Sequence, residues 1–222
     1  MSNFKPITIY GKHGPNPPKV RMLAEELDLA YEINDIGFDK VKSLEYTSIN
    51  PNGRIPAIQD PNEGITLWES GAILEYLVDK YDRSRKISFE PGSKEFYQAK
   101  QWLYFQVSGQ GPYYGQAMWF TRFHKEQIES AKQRYYDEIK RVTSVLEGHL
   151  RKQEKGADGP WLVGGKFSHA DLAFLPWQNI AANVFKDIVD LSEFTEVAGW
   201  LKRLRNRPAL KKVLDEPPPT NH

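Results

Sequence analysis

The chain has 222 residues, of which 40% are hydrophobic and 13% aromatic, and its formal net charge at pH 7 is +1. This near-neutral charge gives no support for nucleic-acid binding, and no apolar run approaches the roughly 18 residues that a membrane span needs. The chain contains no cysteine, which excludes disulfides, zinc-thiolate sites and a thiol nucleophile of the protein's own. Any thiol chemistry must therefore use a thiol that the substrate brings.

The first part of the chain predicts short strands alternating with helices. Alternating apolar residues predict strands at 6–11 and 31–36. Between them, apolar residues at helical spacing predict a helix over 16–29, which begins at Asn16 and has proline in its first positions. A weaker helical pattern covers 42–49. The N-terminal segment lacks the apolar stretch of a signal peptide, so we expect a cytoplasmic location.

Residues 50–77, NPNGRIPAIQDPNEGITLWESGAILEYL, predict a strand with an Ile-Pro bond, a turn, a second strand and a helix. A cis bond at Ile55-Pro56 would leave the backbone N–H and C=O of Ile55 unpaired, and a short extended peptide could pair with them as an added strand. Ser70 lies where a helix start can hold a carboxylate, and Glu69 can accept hydrogen bonds from an ammonium. These features predict an extended ligand with an α-amino acid head, and glutathione fits that description.

This arrangement resembles the glutathione-binding half of the cytosolic glutathione transferases. The order of elements matches a thioredoxin-like α/β domain at 1–83, followed by a polar linker at 84–93. Residues 94–222 have helical patterns throughout, with a kink or break expected near 108–112. The resemblance covers essentially the whole chain and implies the transferase fold, α/β plus all-α, in which a C-terminal helical bundle follows the first domain.

In this family the thiol of glutathione lies near the start of the first helix, where most classes use Tyr, Ser or Cys. The segment from Lys12 to Lys19, KHGPNPPK, has neither a hydroxyl nor a thiol, so Asn16 is the candidate catalytic residue. Its side-chain N–H can donate to the thiolate, and the helix N-terminus adds positive potential. An Asn before Pro is also an ordinary helix cap, and the side-chain oxygen could cap while the nitrogen reaches the ligand.

The motif Gly14-Pro15-Asn16 resembles the Pro-Asn motif of the fungal transferases related to the yeast nitrogen-catabolite repressor, and of the bacterial nu class. The resemblance implies conjugation of glutathione to electrophiles, or glutathione-dependent reduction of disulfides and peroxides. A catalytically weak glutathione-binding regulator or an aromatic-ligand carrier is the alternative. The family resemblance further implies a role in detoxification, a two-fold homodimer and glutathione as co-substrate. We expect no metal.

Family positions extend the glutathione site. Val41 stands where many relatives carry Gln or His, so Lys42 is the candidate for the glycine end of glutathione. Arg54 is expected to face the ligand or the dimer interface, and Arg134 matches a family arginine that approaches glutathione from the helical domain; both are also typical of solvated surfaces. The predicted glutathione-binding residues are Asn16, Lys42, Arg54, Ile55, Pro56, Glu69, Ser70 and Arg134.

An aromatic segment follows Pro112. Aromatic residues at helical spacing usually form a core, but this segment is expected to lie beside the thiol, where part of it can bind flat apolar electrophiles. The predicted acceptor pocket consists of Tyr113, Tyr114, Trp119, Phe120 and Phe123. Further along, Ser168 to Asp171 predict a capping box that opens a helix and has a structural role.

Overall fold

A computed structural model describes residues 4–156 and 158–217. The chain divides into two compact units, which are Met1–Lys86 with Arg205–His222, and Ile87–Leu204. The predicted domains also include residues 1–3, 157 and 218–222, which lie outside the described residues. The grouping of the C-terminal segment with the first unit is a long-range feature that local sequence patterns do not reveal.

The first unit contains a four-stranded mixed sheet in the order β2-β1-β3-β4. Its strands are β1 (Ile7–Tyr10), β2 (Tyr31–Asn34), β3 (Ala57–Asp60) and β4 (Ile65–Trp68). β1 is parallel to β2 and antiparallel to β3, and β3 forms the predicted antiparallel hairpin with β4. This sheet confirms the predicted thioredoxin-like domain.

Three helices follow the predicted order in this unit: α1 (Pro17–Glu26), α2 (Leu44–Thr47) and α3 (Ser70–Tyr81). The apolar face of α1 is buried, as its helical spacing predicts, with Val20 and Leu23 fully inaccessible to solvent. The aliphatic side chains of α3 at Ile73 and Leu74 are also fully buried. The start of each long helix, Pro17 for α1 and Ser70 for α3, becomes important for the site.

The second unit is helical. Its elements are α4 (Lys94–Phe105), a π-helical segment (Gln106–Gln110), α5 (Gly111–Met118), a second π-helical segment (Trp119–Phe123), α6 (Glu129–Leu150), α7 (His169–Val184) and α8 (Thr195–Asn206), the last of which crosses the boundary between the units. The helical bundle predicted after the first domain is thereby confirmed. None of the helices in the described part of the chain is both long and apolar enough to cross a membrane.

Near 108–112, where the sequence predicts a kink or break, the helix is not broken but passes through a π-helical turn. The N–H of Gly111 bonds to the C=O of Gln106, five residues earlier, and the helix continues into α5. Pro112 is the second residue of α5 and directly follows this widened turn. Widening one turn thus accommodates the proline without ending the helix, and π-helical turns are frequent at functional sites.

The predicted capping box is present at the start of α7. The carboxylate of Asp171 is completely buried and accepts hydrogen bonds from the N–H and hydroxyl of Ser168, the N–H of Leu162 and the indole N–H of Trp200. Burial raises the pKa of Asp171 to about 6, while these donors favour its charged form. The motif therefore ties α7 to α8 inside the second unit, and its role is structural.

The C-terminal helix α9 (Pro208–Leu214) packs on α1 within the first unit. Just before α9, the guanidinium of Arg207 makes two hydrogen bonds, of 2.7 and 2.9 Å, to the buried carboxylate of Glu26 at the end of α1. Lys212 of α9 donates to Glu25 at 2.8 Å. Arg207 and α9 thus support α1, the helix that begins next to Asn16.

Candidate active site

The backbone at Ile55 is available for pairing. The Ile55-Pro56 peptide bond is cis, as predicted, and β3 begins only at Ala57. Among residues 4–156 and 158–217, neither the N–H nor the C=O of Ile55 forms a hydrogen bond. Ile55 as a whole is half-buried. A partner peptide in extended conformation can therefore pair with these two backbone groups.

Two buried side chains fix the residue before Ile55. The C=O of Arg54 accepts hydrogen bonds from the hydroxyl of Tyr46 at 2.8 Å and from the side-chain amide of Asn50 at 2.6 Å. The Asn50 side chain also accepts a hydrogen bond from the N–H of Asn52, which closes the turn. Sequence reasoning missed Tyr46 and Asn50 as supporting residues, although the Asn-Pro-x-Gly pattern is the signal that could have identified Asn50.

The loop that leads to Asn16 packs directly on Ile55. Gly11 follows β1 and has φ +89°, a conformation that favours glycine. A Cβ at this position would lie 2.7 Å from the Cβ of Ile55, so only glycine allows this approach. Further along the loop, the N–H of Lys12 donates to Asp35 at 3.2 Å. The loop from Gly11 to Asn16 is thereby anchored at one end against the side chain of Ile55.

Asn16 is half-buried and immediately precedes α1. Its backbone C=O accepts a hydrogen bond from the N–H of Lys19 at 3.1 Å, but its side chain does not cap the described helix. The capping role considered for the side-chain oxygen is therefore absent. The first turn of α1, all of which is described, carries no acidic residue, so the positive end of the helix dipole is not neutralised locally.

Glu69 and Ser70 lie at the start of α3. Glu69 is exposed and has φ 72° and ψ 112°, a region that non-glycine residues rarely occupy, and such strain is concentrated at functional sites. Ser70 is the first residue of α3, and 8% of its surface is exposed. The backbone therefore turns sharply between an exposed carboxylate and a helix start, which is the arrangement predicted for an α-amino acid head.

A buried lysine, missed in the sequence, lies against this helix start. The ammonium nitrogen of Lys19 is 3.4 Å from the hydroxyl oxygen of Ser70, and Lys19 is only 1% exposed. Burial lowers the pKa of Lys19 to about 7, and the carboxylate of Glu69 opposes this shift. Lys19 lies four residues before Leu23, on the buried face of α1, and that position was the signal in the sequence.

The other predicted glutathione contacts occupy different surroundings. Lys42 is exposed and donates to the C=O of Asn52 at 2.7 Å, in the turn that leads to Arg54. Arg54 is exposed beside Ile55. Arg134 is exposed on α6 and belongs to the second unit. The structure thus brings Lys42 and Arg54 to one side of the Ile55 turn, whereas Arg134 remains a separate prediction.

The predicted acceptor residues separate into three environments within the second unit. The rings of Phe120 and Tyr135 stack at 5.6 Å with an interplanar angle of 14°, and Tyr113 lies 6.5 Å from the same Tyr135 ring. Trp119 and Phe123 contact each other at 6.2 Å and are 49% and 63% exposed. The half-buried stack and the exposed pair are therefore distinct surfaces on one helical segment.

Tyr114 was predicted to line the acceptor pocket, but the structure places it in the core. It is completely buried in the core of the second unit, and its hydroxyl lies within hydrogen-bonding distance of Thr143 and Gln178, both at 3.1 Å. Successive residues of a helix point about 100° apart, and here Tyr114 faces the core while Tyr113 is half-buried. Tyr114 packs and orders α5 against α6 and α7, and we exclude it from the acceptor surface.

Comparison with known proteins follows the same division of the chain. Residues 5–79 match the family described as glutathione S-transferase, N-terminal domain, and residues 112–208 match glutathione S-transferase, C-terminal domain. The chain therefore belongs to the glutathione S-transferase family, which is a family of enzymes. The family prediction made from the Ile55 turn and the Asn16 motif is confirmed.

Within that family the most informative relatives are fungal. The glutathione S-transferase-like protein tpcF of Aspergillus fumigatus is 54% identical over 216 residues, covering 96% of both chains. Glutathione S-transferase 1 of Schizosaccharomyces pombe is 44% identical over 218 residues, covering 92% of this chain and 93% of its own. The solved structure of transferase URE2P6 from Phanerochaete chrysosporium, in complex with oxidized glutathione, is 51% identical, with a TM-score of 0.87 and 97% of each chain covered. The predicted resemblance to the fungal transferases related to the yeast nitrogen-catabolite repressor is thereby confirmed.

Proposed function

We propose that the chain binds glutathione at the Ile55 turn of the first unit and stabilises its thiolate with Asn16. The observation that carries the proposal is the unpaired backbone of Ile55. The side chain of Ile55 packs on Gly11 in the loop that leads to Asn16, and Ser70 and Glu69 belong to the same unit. A tripeptide with an extended backbone fits such unpaired backbone groups better than a compact ligand does.

Each part of glutathione has a counterpart in this proposal. The backbone of its cysteine pairs with the N–H and C=O of Ile55. Its γ-glutamyl carboxylate accepts hydrogen bonds from the hydroxyl of Ser70 and from N–H groups at the start of α3, while its ammonium faces Glu69. Its glycine carboxylate faces Lys42 and Arg54, which are exposed beside the turn.

The thiol is then activated at the start of α1. The thiol loses its proton to solvent, and the thiolate accepts a hydrogen bond from the side-chain N–H of Asn16 within the positive potential of the helix N-terminus. Preorganised donors of this kind lower the energy of the charged nucleophile. The sulfur electron pair attacks an electrophilic carbon, a thioether bond forms, and the leaving group departs with the electrons of the broken bond.

Glutathione-dependent reduction is the second candidate, because the relative URE2P6 is 51% identical and was solved with oxidized glutathione. In that reaction the thiolate attacks one sulfur of a disulfide, a mixed disulfide forms, and the second sulfur leaves as a thiolate. The thiolate of a second glutathione then attacks the glutathione sulfur of the mixed disulfide, so oxidised glutathione forms and the remaining substrate sulfur leaves as a thiolate. The same Asn16 site serves both reactions, so the second substrate decides between them.

For the second substrate we propose the aromatic stack of Phe120, Tyr135 and Tyr113 as an apolar binding surface within the helical unit. Flat rings bind well against half-buried aromatic side chains. Arg134, on the same helix as Tyr135, remains a proposed glutathione contact. A homodimer, a cytoplasmic location and a role in detoxification belong to the same proposal. Among the described residues no cluster of His, Asp and Glu suitable for a metal occurs, and the proposed chemistry uses none.

The test combines binding and turnover. Titration calorimetry should show saturable binding of reduced glutathione by the purified chain. Steady-state rates should then be compared for a chloronitrobenzene, a mixed disulfide of glutathione and an organic hydroperoxide. Conjugation of the nitroaromatic supports transferase chemistry, and exclusive turnover of the disulfide or hydroperoxide supports reduction. Absence of glutathione binding would contradict the proposal.

A further inference from the structure

Lys19 is the most unusual charged residue of the first unit. Lysine is almost never fully buried in a folded protein unless it is paired, and Lys19 is 1% exposed. It lies in the first turn of α1, and its ammonium nitrogen is 3.4 Å from the hydroxyl oxygen of Ser70 at the start of α3. A single side chain therefore links the two helix starts that the proposed glutathione site uses.

In the contact between Lys19 and Ser70, the donor and acceptor roles are fixed. A charged ammonium only donates, so Lys19 donates to the oxygen of Ser70. The hydroxyl hydrogen of Ser70 must then point elsewhere, and an acceptor on the ligand side completes the arrangement. The polarised hydroxyl becomes a stronger donor because hydrogen bonds in a chain reinforce one another.

Electrostatics favour the same kind of ligand. Burial lowers the pKa of Lys19 to about 7, and the Glu69 carboxylate partly offsets this. A ligand carboxylate at Ser70 would bring a second negative charge near the ammonium and favour its protonated form. The exposed Glu69 is then available to the ligand's own ammonium. The site therefore suits a head group that carries both charges.

We propose that Lys19 is a positioning residue that acts through Ser70, orienting its hydroxyl and making the site selective for a γ-glutamyl head with a free α-carboxylate. This inference rests on the proposed function, because it needs glutathione bound with its γ-glutamyl head at α3. It adds a specific consequence, which is discrimination against peptides that match glutathione in every part except this carboxylate.

The test compares two ligands by titration calorimetry. One is glutathione, and the other is γ-aminobutyryl-cysteinyl-glycine, which is glutathione without the α-carboxylate. In the unmodified protein glutathione should bind more tightly. Lys19→Met should weaken glutathione binding about 10-fold or more, the loss expected when a charge-assisted contact is removed, and change binding of the analogue by less than about 2-fold. In turnover, Lys19→Met should raise the KM for glutathione and leave kcat at saturation within about 2-fold.

Control variants separate this role from a merely structural one. Lys80→Met makes the same change on the exposed side of α3 and should leave both affinities unchanged. Lys19→Arg keeps the positive charge and should retain most of the selectivity. Ser70→Ala should reduce selectivity in a protein that still has its buried lysine, so the inference can be tested even if Lys19→Met does not fold.

Three results would overturn the inference. Equal losses for both ligands in a folded Lys19→Met protein would show a general structural role. Unchanged glutathione affinity in that protein would remove Lys19 from recognition. Equal affinity of the unmodified protein for the two ligands would show that the protein does not recognise the α-carboxylate of the γ-glutamyl head. All three differ from failure of the proposed function, in which the unmodified protein binds no glutathione at all.

Discussion

The Ile55 turn and the aromatic segment after Pro112 are built in different ways. At the turn, backbone groups are held by buried donors, since Tyr46 and Asn50 both bond to the C=O of Arg54. In the aromatic segment, the candidate contacts are side chains that are half-buried or exposed on a π-helical turn and the helix before it. The first region presents one fixed geometry, whereas the second presents adaptable apolar surface.

This difference predicts which of the two substrates each region recognises. A backbone edge with a fixed register recognises one kind of peptide, because its donors and acceptors cannot be exchanged by substitution. Exposed rings such as Trp119 and Phe123 tolerate varied flat ligands, because stacking depends little on the ligand's polar groups. We therefore expect substitutions in the first region to affect glutathione, and those in the second to affect the other substrate. Substitutions of Asn16, Asp60, Phe120 and Tyr46 should have effects that decrease in this order.

Asn16→Ala should have the largest effect. It removes the proposed donor to the thiolate, so kcat should fall about 100-fold, the size seen when one preorganised donor to an anion is removed. The affinity for glutathione should change less than about 3-fold, since Ile55 and Ser70 remain. The pKa of the bound glutathione thiol, measured from thiolate absorbance, should rise toward the free value of about 8.5.

Asn183→Ala, an exposed amide on α7, is the matched control and should leave kcat and the thiol pKa unchanged. If Asn16→Ala retains full turnover, Asn16 has no part in the mechanism and the reaction does not depend on this region as proposed.

Asp60→Asn should weaken the attachment of the β3–β4 hairpin to α3. Asp60 ends β3, is 1% exposed, and accepts hydrogen bonds from the hydroxyls of Tyr76 and Tyr81 on α3 and from Asn62. We expect the free energy of unfolding to fall by about 2 kcal/mol at pH 7, because charge-assisted hydrogen bonds are lost. Urea denaturation measures this, with Asp79→Asn on the exposed face of α3 as control.

The effect of Asp60→Asn should also depend on pH. Burial opposes ionisation of Asp60, but hydrogen bonds from Tyr81, Tyr76 and Asn62 outweigh it and lower its pKa below the usual 3.8. A depressed folded-state pKa stabilises the protein above about pH 4, and this contribution is lost as the pH falls through the folded pKa. The stability difference between the two proteins should therefore shrink in that window, and a constant difference would contradict this assignment.

Phe120→Ala should raise the KM for a nitroaromatic substrate about 5- to 10-fold, because a stacked ring and its buried area are lost. The KM for glutathione should remain unchanged. Tyr114→Phe gives the contrast: it should lower stability by about 1 kcal/mol through lost hydrogen bonds and leave both KM values as they are. A raised nitroaromatic KM in Tyr114→Phe alone would reverse the assignment of the two residues.

Tyr46→Phe should have the smallest effect. It keeps the ring and removes one of the two donors to the C=O of Arg54, which loosens the turn before Ile55. The dissociation constant for glutathione should rise about 3-fold, in line with the loss of one neutral hydrogen bond. Calorimetry measures this, and the KM for the nitroaromatic should not change. A change in the KM for the nitroaromatic instead would contradict the proposal that the Ile55 turn recognises only glutathione.

Much of the first unit was predictable because its signals are local. Alternation and helical spacing gave β1, α1 and the hairpin, and Ser70 was placed at the start of α3 where the structure has it. The aromatic segment was less predictable because helical spacing identifies a buried face only when its partner helix is known. Tyr114 was misassigned for this reason, and at 108–112, where a kink or break was expected, the helix continues through a π-helical turn.

The sequence by itself determined the family and the turn at Ile55, because proline, glycine and helix-start residues act on their immediate neighbours. It also established that the protein has no thiol of its own. Only the tertiary structure decided that Lys19 meets Ser70, that Tyr76 and Tyr81 bond to Asp60, and that Arg207 returns to Glu26. These contacts join residues far apart in the chain, and their energies depend on burial, which no local pattern specifies.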